Sequence, residues 1–445
     1  MRGAAAVGES MKRTALFAVC GVLCGLPLAS AQTTNTPLGL LILNLYGPNG
    51  LKVDSEATLP DGSTHTAHFN SSFQSEFSQF NVALATQLLT VPFPSPASGY
   101  TYRFDDSLGV FTRTTQSFGP ILTDRAETIG KGKFTFGFAF QRFKFDSIEG
   151  IPLSSVPAVF THDDAQLGGG RSDIITTQNS IQTDVNRFVA FFTYGLLDGL
   201  DVSLALPILD TSLSVTSDAT IVRIGTGSNV KVHFFRTPSG GYGDTRTYQS
   251  SGSASGIGDV ILRLKGRAPK SGPTTLALMT DVRFPTGDEK NLLGSGAWGV
   301  KPAIVLSWGL GRFSPHLNVA YQWNGKSTLA GDITTGRKDD LPNQFLYAGG
   351  ADIGVTKHLT LAFDVLGQRL VNAPRLEQQT FTASNGQTFD QVGFGRGDLN
   401  ITDGSVGLKV SAGGSLLLDV NVLFKLDNGG MRAKVAPLVA LEYSF

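Results

Sequence analysis

Ionisable side chains set at every second position among apolar neighbours are the residues of this 445-residue chain best placed to do chemistry. Asp259, Arg263 and Lys265 occupy one such stretch, Asp281 and Arg283 the next, and Lys301 the one after it. Asp352, Asp364, Lys409, Asp419, Asn421, Lys425, Lys434 and Glu442 continue the pattern toward the C-terminus. In an extended chain alternate side chains share a face, so each stretch would present charge to one side and hydrocarbon to the other. A face of that kind can line a polar conduit or a gated site. With acids and bases interleaved it can equally neutralise itself inside a narrow, filled interior, and the sequence leaves both readings open.

Catalysis has little to work with. The histidines are His65, His68, His162, His233, His316 and His358. His65 and His68 stand near Asp61, but that spacing is no metal site. His316 on the charged face could activate Ser314 or Ser307, yet the His-x-Ser-Asn pattern of a barrel phospholipase does not surround it. Gly168-Gly169-Gly170 follows no phosphate-binding strand. Both cysteines, Cys20 and Cys24, fall in the leader, so a processed chain would have no thiol for a disulfide, a metal cluster or a nucleophile. The reading is therefore of a non-enzyme with no catalytic residue, no metal and no cofactor, and without the basic patch that nucleic acid requires.

Strands must position the charges. Phe134, Phe136, Phe138 and Phe140 alternate with Thr135, Gly137, Ala139 and Gln141. Phe188, Ala190, Phe192 and Tyr194 follow, then an Asp198-Gly199 hairpin turn, then Val202, Leu204, Leu206 and Ile208. The same pattern recurs to Val439, Leu441, Tyr443 and Phe445, and predicts about twelve strands of roughly ten to thirteen residues, the signature of a transmembrane antiparallel β-barrel. Turns near 198, 270, 311, 357 and 413 are short and most other connections long, so the short side should be periplasmic. Ionisable groups at membrane depth must face protein or water, which assigns Asp259, Arg263, Lys265, Asp281, Arg283, Lys301, Asp352, Asp364, Lys409, Asp419 and Lys425 to the lumen.

Aromatic residues fit a girdle. Trp298 and Trp308 share a face ten residues apart; at roughly 3.3 Å per residue and a tilt of about 40° that spans about 25 Å, the height of an apolar band. Trp323 would join the outer girdle, and Tyr194, Tyr443 and Phe445 the inner one. The competing reading makes these aromatics the core of a soluble β-sandwich.

The N-terminus reads as a secretory signal over residues 1–31: Met11-Lys12-Arg13, an apolar stretch from Thr14 to Leu28, and Ala29-Ser30-Ala31 before Gln32. Val19 and Leu23 precede the cysteines where a lipoprotein signal wants a small residue. No later apolar run is long enough for a membrane helix. Residues 32–130 are expected to form a separate periplasmic or plug segment ahead of the barrel at 131–445. In that segment Leu40 to Leu45 with Pro48-Asn49-Gly50 suggests a hairpin. Phe73, Phe77, Phe80, Leu84 and Leu88 have helical spacing, and Tyr100, Tyr102 and Phe104 suggest a short strand.

Several motifs carry a resemblance. Gly256-Ile257-Gly258-Asp259-Val260, then Arg283-Phe284-Pro285-Thr286-Gly287-Asp288, then Gly299-Val300-Lys301-Pro302 resemble the outer-membrane proteins assigned to a meta-pathway of phenol degradation. Tyr194-Gly195-Leu196 through Leu204-Ala205-Leu206-Pro207 looks like their earlier hairpin, and the similarity spans roughly residues 118–445. Thr123-Asp124-Arg125-Ala126 looks like the family's opening, with alanine in place of its usual proline. The resemblance implies a transporter-like barrel in the bacterial outer membrane, with aromatic or hydrophobic solutes as its cargo. The ending, with Leu441, Tyr443 and Phe445 alternating, resembles the signal read by the barrel-assembly machinery, although Ala440 and Leu438 depart from it.

The expected function is a passive channel for small hydrophobic or aromatic solutes, with outer-membrane lipid and the assembly machinery as its partners. A closed barrel binding partners through long loops around 146–184, 212–255 and 371–396 is the alternative, and a membrane-embedded hydrolase the third.

Overall fold

The computed structural model describes residues 36–47, 50–58, 99–105, 110–113, 116–162, 173–269 and 272–445, with isolated positions at 62, 69, 70, 82, 83, 86 and 95. The expected signal peptide, the helix from Phe73 to Leu88 except for three isolated positions, His65, His68 and the Gly168-Gly169-Gly170 loop lie outside the described residues.

Twelve strands form a closed antiparallel ring. They are β1 (Phe134–Phe145), β2 (Ile174–Leu197), β3 (Leu200–Val222), β4 (Val260–Arg267), β5 (Thr274–Phe284) and β6 (Gly299–Trp308), followed by β7 (Phe313–Asn324), β8 (Gln344–Gly354), β9 (Leu359–Thr382), β10 (Thr388–Gly413), β11 (Leu416–Lys425) and β12 (Val435–Ser444). Each pairs with its neighbour in chain order, and β12 returns to β1 with Tyr443 opposite Phe136 and Leu441 opposite Phe138. The Phe445 amide completes the seam by donating to the Phe134 carbonyl at 2.8 Å. Closure removes the sheet edges that lipid could not satisfy.

The two-residue period decides which side chains meet lipid. On β5, Leu276 and Leu278 are 38% and 62% exposed, whereas Ala277 and Met279, which follow each of them, are buried at 0% and 5%. The same outward exposure holds for Phe188, Leu262, Leu264, Val300, Ile304, Leu317, Phe345, Phe363, Val406, Val420, Val439 and Leu441. A continuous apolar belt of this extent would drive aggregation in water, and it is what a lipid-facing surface must be.

The segments expected as long loops are largely strand. β2 and β3 run to 24 and 23 residues, β9 and β10 to 24 and 26, about twice what a membrane crossing needs. Above Phe188 the outward residues of β2 change to Asn186, Asp184, Gln182, Ser180, Gln178 and Thr176, while Ile181 and Val185 stay inward and buried. Alternation continues, but outside the bilayer the outer face no longer needs hydrocarbon, so an apolar-periodicity reading ends too early. A strand at Thr245–Ile257 extends the sheet along β3, and one at Val156–His162 along β2.

Described parts of the N-terminal segment pack on this taller wall. Leu38–Leu40 is a 3-10 turn followed by further turns, not the expected hairpin strand. Its apolar residues Leu38, Leu41 and Ile42 recur at turn spacing, not at strand spacing, and are buried against the inner face of the extension. The Leu38 amide donates to Asn291 Oδ1, and the Tyr46 hydroxyl lies 2.9 Å from Ser217 Oγ. Asp54 pairs through its backbone with Phe234. Tyr102–Asp105 is a strand, as the sequence suggested, paired with Val110–Arg113.

Candidate transport lumen

Residues 116–131 run inside the ring, on the side of the short turns. The Ser117 hydroxyl lies 3.2 Å from Ser314 Oγ, the Phe118 amide donates to Thr360 Oγ1 and the Asp124 amide to Asn318 Oδ1. The Ala126 amide donates to Ser307 Oγ and the Ile129 amide to Asp201 Oδ2. Glycine makes the exit possible: Gly130 has φ +101°, and a Cβ on Gly195 of β2 would lie 1.8 Å from the Gly130 carbonyl. The strap thereby meets inward-facing residues from β3, β6, β7 and β9.

Most of the assigned lumen charges sit in three paired groups, the pairing that burial demands. Arg263 Nη1 lies 2.8 Å from Asp124 Oδ1 of the strap and its Nε 2.6 Å from Asp281 Oδ1, while Lys301 Nζ is 2.8 Å from Asp281 Oδ2. Lys265 donates to the strap carbonyls of Arg125 and Glu127 at 3.3 and 2.7 Å. Lys409 Nζ holds Asp419 at 3.2 Å and Glu442 at 2.9 Å, and Glu442 also accepts from the Gly99 amide.

His316 forms the third group. Its Nε2 lies 2.6 Å from Asp364 Oδ1 and 2.9 Å from Thr123 Oγ1, with Asp352 Oδ1 3.6 Å from Nδ1. A catalytic relay needs a carboxylate and a hydroxyl hydrogen-bonded to opposite ring nitrogens; here Asp364 and Thr123 share Nε2, and Asp352 on the Nδ1 side stands at 3.6 Å, outside hydrogen-bond reach. Among the described residues no serine hydroxyl bonds to His316, Ser314 being turned to Ser117 and Ser307 to the Ala126 amide.

Asp259, Arg283 and Lys425 lie nearer the loops. Asp259 accepts from the Gly287 and Ser295 amides and stands 3.6 Å from Arg283, which also donates to Asn324. Lys425 ends β11 and turns to Asp146, 3.8 Å away. The strap residues Thr123 and Asp124 were missed as lumen residues by sequence reasoning. Their signal was a polar trio inside the apolar stretch from Phe118 to Ile129.

Between strap and wall lies a cavity of about 130 Å³. Leu122, Met279, Ala303, Leu346 and Leu366 give it apolar sides, and Arg263, Lys301, Asn318 and Gln368 a polar end. Gln368 Oε1 is buried without a hydrogen-bond partner.

The aromatic residues bracket the belt from outside. Trp298 and Trp323 are 56% and 52% exposed on the loop side, Trp323 standing opposite Val300. Trp308 ends β6 beside the short turn, and Tyr194 and Tyr443 face Phe134 and Phe136 across the strands at the same rim. The Tyr443 and Phe445 rings meet edge to face at 4.7 Å.

A ring without edges, oily outside and charged within, belongs in a bilayer, and closed antiparallel barrels of this kind are proteins of the bacterial outer membrane. Within that class the chain belongs to the family described as "Putative MetA-pathway of phenol degradation", whose model matches residues 162–428. No curated protein matches it in sequence. Among solved structures it is similar to an outer membrane channel from Pseudomonas putida F1, at 14% identity and a TM-score of 0.43 over 73% of this chain and 99% of that one. It is also similar to the CymD monoaromatic hydrocarbon channel, at 10% identity and a TM-score of 0.33 over 71% and 88%. A Pseudomonas aeruginosa FadL homologue matches at 9% identity and a TM-score of 0.28 over 70% and 89%.

Proposed function

We propose that the protein is a passive outer-membrane channel for small hydrophobic or aromatic solutes, with residues 32–130 acting as its plug. The lumen cavity carries this reading. An apolar cavity of about 150 Å³ accommodates a benzene-sized guest, so about 130 Å³ suits a single ring. The unpartnered Gln368 Oε1 would accept a hydrogen bond from a hydroxyl on that ring. The family's link to phenol degradation and the monoaromatic cargo named for the CymD channel agree with such a solute.

The plug reading is supported by the strap. Its hydrogen bonds to five strands occupy the bore where solute would otherwise pass. Flux would then require solute to move past or displace residues 116–131.

Proteoliposome uptake of radiolabelled phenol and toluene, compared with a disaccharide, tests both parts. Aromatic uptake should exceed disaccharide uptake in the full chain, and removal of residues 32–130, the strap included, should raise both. Absence of flux with and without that segment would leave a closed barrel in place of a channel.

A further inference from the structure

We propose that the seam between β12 and β1 carries a binding site for the phosphate groups of the outer-leaflet glycolipid, formed by Arg142, Lys144 and Lys434. The proposal rests on the membrane-embedded fold and not on the channel reading.

The outward face of β1 changes character at one position. Phe134, Phe136, Phe138 and Phe140 lie in the belt, and the next two residues on that face are Arg142 and Lys144. Phe140 is at the top of the hydrocarbon, its ring 4.7 Å from that of Phe188 on β2. On β12 the outward residues are Val439, Pro437 and Val435; Lys434, which the sequence pattern grouped with the inward Glu442, stands instead at the exposed bend before the strand, and its amide donates to Asp146 just beyond β1. All three cations are exposed and stand on the loop side, at the height where the headgroups of the outer leaflet begin.

The acids facing them are Asp184 and Asp146. Asp184 lies 3.5 Å from Arg142, whose side chain stays 56% exposed. Asp146 is met by Lys425 at 3.8 Å. The ammonium groups of Lys144 and Lys434 have no carboxylate within ion-pair distance among the described residues. Some other exposed cations of the outer rim are matched, Arg369 with Asp398 at 2.6 Å and Lys326 with Asp340 at 4.0 Å, whereas Lys338 and Arg396 stand singly on other strands with no ion pair among the described residues.

A phosphate monoester offers three acceptor oxygens, which a guanidinium can grip in a fork and ammonium groups can approach as point charges. The long stems of Lys144 and Lys434 can lie along the belt while their heads reach the headgroup layer. Cations placed immediately beyond a membrane-spanning apolar surface are held to anionic headgroups in this way.

Native mass spectrometry of the full chain, titrated in detergent with bisphosphorylated lipid A, tests the site. The wild type should bind it about tenfold more tightly than the dephosphorylated form, and Arg142→Ser/Lys144→Ser/Lys434→Ser should abolish that difference. A remote triple variant with the same charge change, Lys326→Ser/Lys338→Ser/Arg396→Ser, should retain it. The conservative Lys144→Arg/Lys434→Arg should bind as wild type, and heat-modifiable gel mobility would establish that each variant is folded. Equal preference for the phosphorylated lipid in the seam variant would overturn the proposal. So would displacement of the lipid by millimolar inorganic phosphate, which would mark a site for the free anion instead.

Discussion

Arg263 on β4 bridges wall and strap, its Nη1 2.8 Å from Asp124 Oδ1 while Nε and Nη2 hold Asp281 at 2.6 and 2.9 Å. One guanidinium thus answers two buried carboxylates. Arg263→Met would leave Asp281 to Lys301 and Asp124 to the Ser95 hydroxyl, and breaking a buried pair from one side costs about 3–5 kcal/mol. We expect a loss of that order in urea unfolding followed by tryptophan fluorescence, together with a higher single-channel conductance from a loosened strap. Asp124→Asn should raise conductance at a smaller cost in stability. Conductance unchanged in both variants would show that this contact does not hold the strap.

Lys409 faces Asp419 and Glu442 with all three side chains buried. Lys409→Met should therefore destabilise the barrel by about 3–5 kcal/mol. Adding Asp419→Asn and Glu442→Gln should recover most of the loss, because the uncompensated charges go with them. If the triple variant were no more stable than the single one in the same unfolding assay, packing rather than charge would be the cause.

Leu278, 62% exposed near the middle of β5, looks into hydrocarbon. Leu278→Arg should cost about 2–4 kcal/mol, whereas Leu310→Arg in the short turn at the rim should cost about 0–1 kcal/mol. Folding titrations into lipid vesicles read both. Equal penalties would contradict the depth assigned to β5.

Gly195 approaches the strap backbone, with no flexible side-chain end to give way. Gly195→Val should force the strand and residues 129–131 apart, costing at least about 1–3 kcal/mol. It should also make residues near Lys131 cleavable by trypsin in the folded barrel. Wild-type protease resistance in the variant would mean that the valine is accommodated without parting strand and strap.

Asp173 ties down the loop after β3: Oδ1 accepts from the amides of Ile224, Gly225 and Thr226, and Oδ2 from the Thr226 hydroxyl, with His233 Nδ1 at 2.7 Å. Burial opposes the ionised carboxyl, but the His233 and Thr226 bonds outweigh it and hold its pKa well below the usual range. A group depressed in this sense contributes stability that is whole above its unfolded pKa, about 3.9, and is lost as pH falls from there through the folded value. Hydrogen-exchange protection of those three amides should be level from about pH 8 to 5 and decline only in stronger acid. Asp173→Asn should lower protection about tenfold at neutral pH and remove the acid step.

The wall was legible in the sequence because lipid imposes a period-two rule with no exceptions allowed. Leu276, Leu278 and Val282 could be placed by counting, and so could the facing charges Asp281 and Arg283. What those charges touch was not legible. Cross-strand counting pairs Arg263 with Asp281, register neighbours on adjacent strands, but its second partner, Asp124, is 139 residues away and sits in a stretch with no period at all. The overshoot of β2 and β3 was hidden for a related reason. Ser212, Ser214 and Thr216 alternate with Leu213 and Val215 as faithfully as any belt residue, but the roles of the faces change where the bilayer stops.

The bond from the Phe445 amide to the Phe134 carbonyl turns a sheet into a hoop, and the strap of residues 116–131 lies inside it, as a ship lies inside its bottle. Residues 36–47 and 50–58 rest at the far mouth, and Gly99 and residues 116–131 are fastened along the bore. Such contents can leave a closed hoop only through one of its two mouths. Emptying the bore therefore asks the strap to let go and not the wall to open.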